Sequence, residues 1–185
     1  EEDLGFYIQG DFRADLGPVP VTGNIGVRYV DTDQTSTGYA VTSGVPVLTT
    51  VSRSYSDTLP SLNLVFDFNP DLLMRFGAAK VMARPGLGNI TPGVTVSVSG
   101  GNRVVTGGNP LLNPFRAATY DLGLEWYFAE ESLFGIGVFY KDIDTFVQTS
   151  RETRPFNTSG LPDSLLDGTG ALPTDDFQFN IPINT

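Results

Sequence analysis

The chain contains no cysteine and no histidine. The absence of cysteine excludes disulfides and thiolate metal sites, and the absence of histidine removes the commonest general base and transition-metal ligand. Basic residues are also scarce, with 11 Lys and Arg against 21 Asp and Glu and a formal net charge of -10. Because nucleic-acid phosphates are bound through Lys and Arg, this balance disfavours a nucleic-acid partner.

Long apolar runs are missing as well. No stretch approaches the ~20 apolar residues of a transmembrane helix, and no basic-then-apolar signal segment opens the chain. With 185 residues, of which 40% are hydrophobic, the chain has the length of one domain and enough apolar content for a core. Its first residue is Glu1 rather than Met, so we expect a mature or excised piece of a longer polypeptide.

Alternation of apolar and polar residues is the dominant pattern. From Ala118 to Phe128 the even positions are all apolar, whereas the odd positions include Asp121 and Glu125. The alternation resumes after the tetrapeptide AEES and continues to Tyr140. Because period two is typical of a strand with one apolar face, the stretch 116–147 predicts a hairpin of two long strands.

The same pattern predicts six antiparallel strands joined in pairs by short turns. The strands are expected at about 4–16, 21–32, 57–68, 72–83, 117–128 and 133–148, with turns at GPVP, NPD and AEES. Long polar connections are expected at about 33–56, 84–116 and 149–185. The first is interpreted as a loop that could extend its flanking strands, the second has a possible small strand at 94–98, and the third is expected to be irregular.

The order of short and long connections bears on the fold class. Alternating strands alone also fit a soluble sandwich. However, tight turns on one side and long loops on the other favour a transmembrane β-barrel, with the turns in the periplasm and the loops outside the cell. The strand from Tyr120 to Phe128 would span roughly 19 Å of height, near the ~25 Å apolar band of such barrels. The sequence therefore predicts an all-β, antiparallel, up-and-down sheet.

Aromatic residues of the apolar faces gather near the strand ends, as they do in the two belts of a barrel. The predicted lipid-facing belt consists of Tyr29, Phe66, Phe68, Tyr120, Trp126, Phe128, Phe134 and Tyr140. The competing interpretation is that Phe and Tyr are simply good strand formers.

Five segments resemble, in the family's order, the barrel of TonB-dependent outer-membrane receptors. They are LPSLNL at 59–64, MARP at 82–85, GNPLLNP at 108–114, YDLGLEWYF at 120–128 and GVFYKDIDTFV at 137–147. The resemblance covers about 4–148 and implies a barrel of about 22 strands with a plugged lumen. This chain would supply a six-strand segment of that barrel. No plug domain, TonB-interaction box or aromatic final strand is recognised, so we expect an internal segment.

The resemblance also implies a function. Such receptors take up a scarce nutrient, such as a siderophore, a cofactor or an oligosaccharide, across the outer membrane of a Gram-negative bacterium. The energy comes from TonB, ExbB and ExbD. The implied partners are therefore outer-membrane lipid, a plug domain, the remaining barrel strands, the TonB system and a small-molecule or oligosaccharide substrate.

Charged residues opposite the apolar faces are then predicted to face the lumen and the plug. They are Asp11, Arg13, Arg28, Asp67, Arg75, Asp121 and Glu125. Arg75 and Glu125 each lie about four residues from a short turn on predicted neighbouring strands, so we expect them to form an ion pair. The alternative is that these are ordinary solvated charges without a partner.

The long loops are expected to carry ligand selectivity, because loops vary while the barrel holds them in place. The candidate substrate contacts are Tyr39, Arg53, Arg84, Arg103 and Asn109, although Asn109 also fits a purely structural turn. The aspartate pairs at 31/33 and 142/144 lack the glycine and terminal glutamate of a calcium loop. No metal, cofactor or catalytic residue is predicted.

The sequence thus predicts a membrane transporter without enzymatic activity. Two alternatives remain at this point. One is a passive barrel segment of a porin or an adhesin, and the other is a soluble all-β binding module.

Overall fold

The computed structural model describes the backbone of residues 2–42 and 45–185 and, apart from residues 40–47, their side chains. In chain order the strands are β1 (Glu2–Leu16), β2 (Val19–Thr42), β3 (Val45–Asn69), β4 (Leu72–Ala83), β5 (Val94–Ser99), β6 (Asn102–Gly107), β7 (Phe115–Ala129), β8 (Ser132–Thr145), β9 (Val147–Pro155) and β10 (Asp176–Asn184). Short 3-10 turns span Leu87–Ile90, Phe156–Thr158 and Asp163–Leu166. In these described ranges, no helix has the length and hydropathy that a membrane crossing requires.

Six strands form one large antiparallel sheet in the order β1-β2-β3-β4-β7-β8. The connections β1–β2, β3–β4 and β7–β8 are two-residue turns at 17–18, 70–71 and 130–131. Gly17 and Glu131 adopt positive φ angles of 62° and 57° there, as tight hairpin turns require. The predicted all-β, antiparallel fold class and its three short turns are confirmed.

The ladders of the large sheet align side chains of one face across all six strands. One row consists of Phe12, Gly23, Leu64, Phe76, Leu122 and Val138. A neighbouring row on the opposite face consists of Asp11, Asn24, Asn63, Gly77, Asp121 and Phe139. We call these two sides of the sheet the apolar face and the polar face. Because side chains alternate between faces, a slip of one residue in any ladder would exchange them.

The hairpin β2–β3 is much longer than predicted. Pairing continues from Asp33↔Ser54 to Thr42↔Val45, which corrects the loop expected over 33–56. Residues 43–44 of that expected loop lie outside the described residues. Along β2, Thr32, Gln34 and Ser36 are only 0%, 4% and 8% exposed, whereas the odd positions between them are exposed. Another part of the chain covers the inner side of the hairpin, and the residues buried there are polar. Both faces of the hairpin are therefore polar, and the sequence shows no alternation of apolar and polar residues there.

Four strands form a separate small sheet in the order β5-β6-β10-β9. The strand β10 is antiparallel to β9 and parallel to β6. Its side chains Phe177 and Phe179 pack with Val105, Phe156 and Leu166 in a buried core. The small sheet therefore has a hydrophobic core of its own, unlike the large sheet, whose apolar face is largely exposed in the described chain.

Other predicted boundaries change as well. The small strand expected at 94–98 is present as β5, but the loop expected over 84–116 also contains β6, and the segment 149–185, expected to be irregular, contains most of β9 and all of β10. The sixth predicted strand also ends earlier, at Thr145, because Val147 begins β9 in the small sheet. These strands pair with partners distant in sequence, which local periodicity cannot indicate.

The apolar face generates a first prediction. If it meets lipid, Leu122→Arg in the receptor that contains this chain should lower the free energy of unfolding by about 2 to 4 kcal/mol, because the guanidinium would lie in the hydrocarbon. The matched control is Gly123→Arg, since a Cβ at Gly123 meets nothing within 4 Å and points to the polar face. Denaturant titration in phospholipid vesicles measures both variants. Equal losses would contradict the lipid assignment.

Candidate functional site

All seven charged residues predicted to face the lumen lie on the polar face of the large sheet, where the registers align six of them in rows. Asp11 and Asp121 occupy one row, and Arg13 and Arg75 occupy the next row toward the short turns. Asp67 and Glu125 occupy the row after that. A cationic row therefore lies between two anionic rows, and successive rows are about 7 Å apart along the strands.

The ion pair predicted between Arg75 and Glu125 is present. Arg75 Nε donates to Glu125 Oε1 at 2.9 Å, and Arg75 Nη2 donates to Oε2 at 3.4 Å. The Tyr127 hydroxyl also donates to Glu125 Oε2, at 3.0 Å. Tyr127 was missed from the sequence, although it lies two residues after Glu125 and hence on the same face of β7. The three side chains form one hydrogen-bonded group near the β7–β8 turn.

The other charges of these rows are less engaged. Asp11 accepts a hydrogen bond from Gln9 Nε2 at 3.3 Å. Among the described residues, Arg13, Arg28, Asp67 and Asp121 make no direct hydrogen bond or ion pair with a side chain or main chain. Their charged groups are therefore available to a partner that enters from the polar side.

Two further ion pairs lie at the other end of the polar face. Arg84 Nη2 donates to Asp3 Oδ1 at 2.6 Å and to the Thr32 hydroxyl at 3.3 Å. Arg116 donates to both carboxylate oxygens of Asp57, at 2.5 and 3.1 Å. Asp57 is only 7% exposed, so Arg116 provides its carboxylate with an ionic partner away from solvent. Asp3, Asp57 and Arg116 were not predicted, because their contacts depend on where the chain returns after β4.

The five predicted substrate contacts are placed in different environments. Arg53 and Arg84 donate to neighbouring parts of the chain, and Arg103 Nη2 lies 2.9 Å from Asp175 Oδ2. Asn109 Nδ2 donates to the Pro182 carbonyl at 3.2 Å. Tyr39 is 68% exposed, but its odd position on β2 puts it on the side opposite the buried Thr32, Gln34 and Ser36. Substrate contact by these residues stays a prediction.

The eight predicted belt residues all lie on the apolar face. Tyr120 and Tyr140 are directly opposite each other, with ring centroids 6.2 Å apart, and Trp126 lies 5.4 Å from Phe128. Phe134 pairs with Trp126, while Phe66 stacks on Phe68 at 6.5 Å. The rings thus form clusters at two heights of one face. Their contact with lipid stays a prediction.

In the described part of the chain, no three acidic side chains approach closely enough to hold a metal ion. The polar face offers fixed charges and hydrogen-bonding groups. Such groups can hold and orient a partner or a solute.

The fold and the two faces define a class of protein. An antiparallel sheet with registered apolar rows, a charged opposite face and two-residue turns on one side has the construction of a transmembrane β-barrel wall. The family model described as TonB dependent receptor-like, beta-barrel matches residues 1–184. The chain therefore belongs to the TonB-dependent receptor β-barrel family, whose barrels lie in the outer membrane of Gram-negative bacteria.

Solved structures that the chain matches include a ferric enterobactin receptor and a siderophore receptor. A mutant of the ferric enterobactin receptor PfeA from Pseudomonas aeruginosa, in complex with enterobactin, is 14% identical and aligns over 80% of this chain with a TM-score of 0.46. The siderophore receptor PirA from Acinetobacter baumannii is 13% identical and aligns over 98% with a TM-score of 0.44. The chain spans 28% and 32% of these two proteins, respectively. No curated protein matches the chain.

The ion pair of Asp57 generates a second prediction. Arg116→Ala should lower the free energy of unfolding by about 3 kcal/mol, because it leaves a buried carboxylate without its partner. The double variant Arg116→Met with Asp57→Leu should recover most of this loss. Arg151→Ala, at an exposed arginine of β9, is the control and should change little. An equal loss in the single and double variants would show that the carboxylate is not the cause.

Proposed function

We propose that this chain forms part of the barrel wall of a TonB-dependent receptor that takes up a scarce nutrient across the outer membrane. The observation that carries the proposal is the match of residues 1–184 to the receptor barrel family, on a sheet whose apolar face runs unbroken across six strands. Members of this family are transporters rather than enzymes. A passive porin or an adhesin would share the two faces but would not explain the family match.

The proposed partner of the polar face is the receptor's own plug domain. The alternation of anionic, cationic and anionic rows supports this assignment, because a plug surface with the complementary order of charges would fit in a single register. Arg13, Asp67 and Asp121, which lack direct partners among the described residues, are the proposed contacts. The hydrogen-bonded group of Arg75, Glu125 and Tyr127 would hold the charges of Arg75 and Glu125 in fixed positions beside these contacts.

The substrate is proposed to be a siderophore, a cofactor or an oligosaccharide, recognised by the loops at the end of the barrel away from the two-residue turns. The features that support recognition there are the small sheet with its own core and the polar hairpin β2–β3. Both present polar groups beyond the rows that carry the apolar face. The energy for uptake would come from TonB, ExbB and ExbD.

Nutrient uptake generates the third prediction. Deletion of the gene for the full receptor should abolish growth on one member of a panel of ferric siderophores, cobalamin and oligosaccharides, each supplied as the limiting source. Deletion of tonB should abolish growth on the same compound to the same extent. The control is growth on a small sugar that crosses general porins. Uptake of the identified compound without TonB would contradict active transport and would indicate a passive barrel.

Plug contact generates a fourth prediction. Arg13→Glu in the full receptor should weaken the seating of the plug, because it places a carboxylate between two anionic rows. Cells should then become more sensitive to vancomycin, which is too large for general porins. Arg151→Glu makes the same change of charge on the small sheet and should have no effect. Unchanged sensitivity in Arg13→Glu, with normal amounts of receptor in the membrane, would contradict the contact.

A further inference from the structure

The segment 108–114, between β6 and β7, lies where the two sheets meet. On one side it is joined to β10 by reciprocal hydrogen bonds. Asn113 N donates to Asn184 Oδ1 at 2.7 Å, and Asn184 Nδ2 donates back to the Asn113 carbonyl at 3.1 Å. A further bond from Asn109 Nδ2 to Pro182 lies on the same side. The segment is thereby fixed to the small sheet.

Leu112 anchors this segment by burial. It is 0% exposed and packs with Ile90 and Val147, and Phe115 packs against this cluster. At its start, a Cβ on Gly108 would overlap the main chain of Thr91, so only glycine allows this approach. The segment therefore has one closely packed position rather than a mobile loop conformation.

On its other side the segment is bound by the hairpin β2–β3. Arg53 Nη1 donates to the Leu111 carbonyl, and Arg53 Nη2 donates to Asn113 Oδ1. Gln34, which pairs with Arg53 across the hairpin, donates from Nε2 to the Pro110 carbonyl at 3.3 Å. The guanidinium also lies 5.6 Å from the ring of Tyr55. Arg53 thus binds neutral oxygens of the segment and, among the described residues, no carboxylate.

We propose that Arg53 is a positioning residue of the receptor. It joins the hairpin β2–β3 to β10 through Asn113 and Asn184, and so holds the small sheet at a fixed distance from the inner side of the hairpin. The small sheet, and not Arg53, would present the surface that contacts substrate. Contact with substrate rests on the proposed function, but the fixed distance between the small sheet and the hairpin does not.

The chemistry of the contact requires arginine. A guanidinium has two terminal nitrogens in one plane, which match a carbonyl oxygen and an amide oxygen on adjacent parts of the segment. A lysine ammonium is a single point and cannot hold both acceptors in the same geometry. Both terminal nitrogens of Arg53 donate to the chain itself. The position of Arg53 therefore fits a structural contact that braces the segment 108–114 better than it fits a contact with solute.

A distance measurement tests the proposal without any substrate. The chain has no cysteine, so within it spin labels can be placed at Ser54→Cys on β3 and Ser97→Cys on β5, both at exposed positions. In the full receptor in nanodiscs, with any cysteine outside this chain replaced by serine, we expect a narrow distance distribution that becomes broad or shifts in Arg53→Ala. Arg53→Lys should give an intermediate result, and Arg151→Ala should match the parent. An unchanged distribution in Arg53→Ala would overturn the proposal.

A second measurement tests the same contact by replacing it with a covalent link. In the variant with Arg53→Cys and Asn113→Cys, amide hydrogen exchange in Asp176–Asn184 should be about tenfold faster than in the parent. A bifunctional thiol reagent that bridges the two cysteines should restore slow exchange, because it replaces the brace without a guanidinium. Exchange that stays fast after complete cross-linking would overturn the proposal. Neither result depends on uptake, so failure of the proposed function would be recognised separately.

Discussion

The shared register of five antiparallel ladders is the constraint on which the rest of this structure depends. A backbone that crosses a membrane must satisfy its N–H and C=O groups within the protein, and a strand can do so only through its neighbours. Once those ladders form, the side-chain period of two decides everything else. Residues as distant as Phe12 and Val138 are placed in one apolar row, and Asp11 and Asp121 are placed in one polar row.

The charged groups of the polar face fall into two kinds. Near the two-residue turns the Arg75–Glu125 pair is substantially exposed, with side chains 52% and 28% accessible, and its neighbours are single charges. Such groups contribute little to stability but fit the role of contacts for a partner. At the opposite end, the carboxylate of Asp57 is buried beneath Arg116. That pair stabilises the fold only while both members are present.

The sequence predicts the large sheet well, because local alternation reports strands whose two faces differ. It also predicts the Arg75–Glu125 pair, since the two residues lie at similar distances from tight turns on the same side of the sheet, which puts them at similar heights on the neighbouring strands β4 and β7. The extension of β2 is hidden, because Thr32, Gln34 and Ser36 are buried by a segment that returns from elsewhere. The Arg116–Asp57 pair is hidden for a related reason, since it joins β7 to β3 across the intervening β4, and no local pattern marks a contact between strands that are not neighbours. The strand β10, in contrast, does carry a local signal, because Phe177, Phe179, Ile181 and Ile183 alternate with polar residues or proline.

The parallel pairing of β10 with β6 also constrains the order of assembly. Residues 104–106 pair with residues 178–180, and the whole hairpin β7–β8 lies between them in the chain. The β5–β6 hairpin can form locally, but its union with β10 closes a loop of roughly seventy residues, which carries a large entropic cost until the intervening strands are ordered. The union of β6 with β10 is therefore expected late, after the hairpin β7–β8 has formed. A complete small sheet would then indicate that this part of the large sheet is already paired.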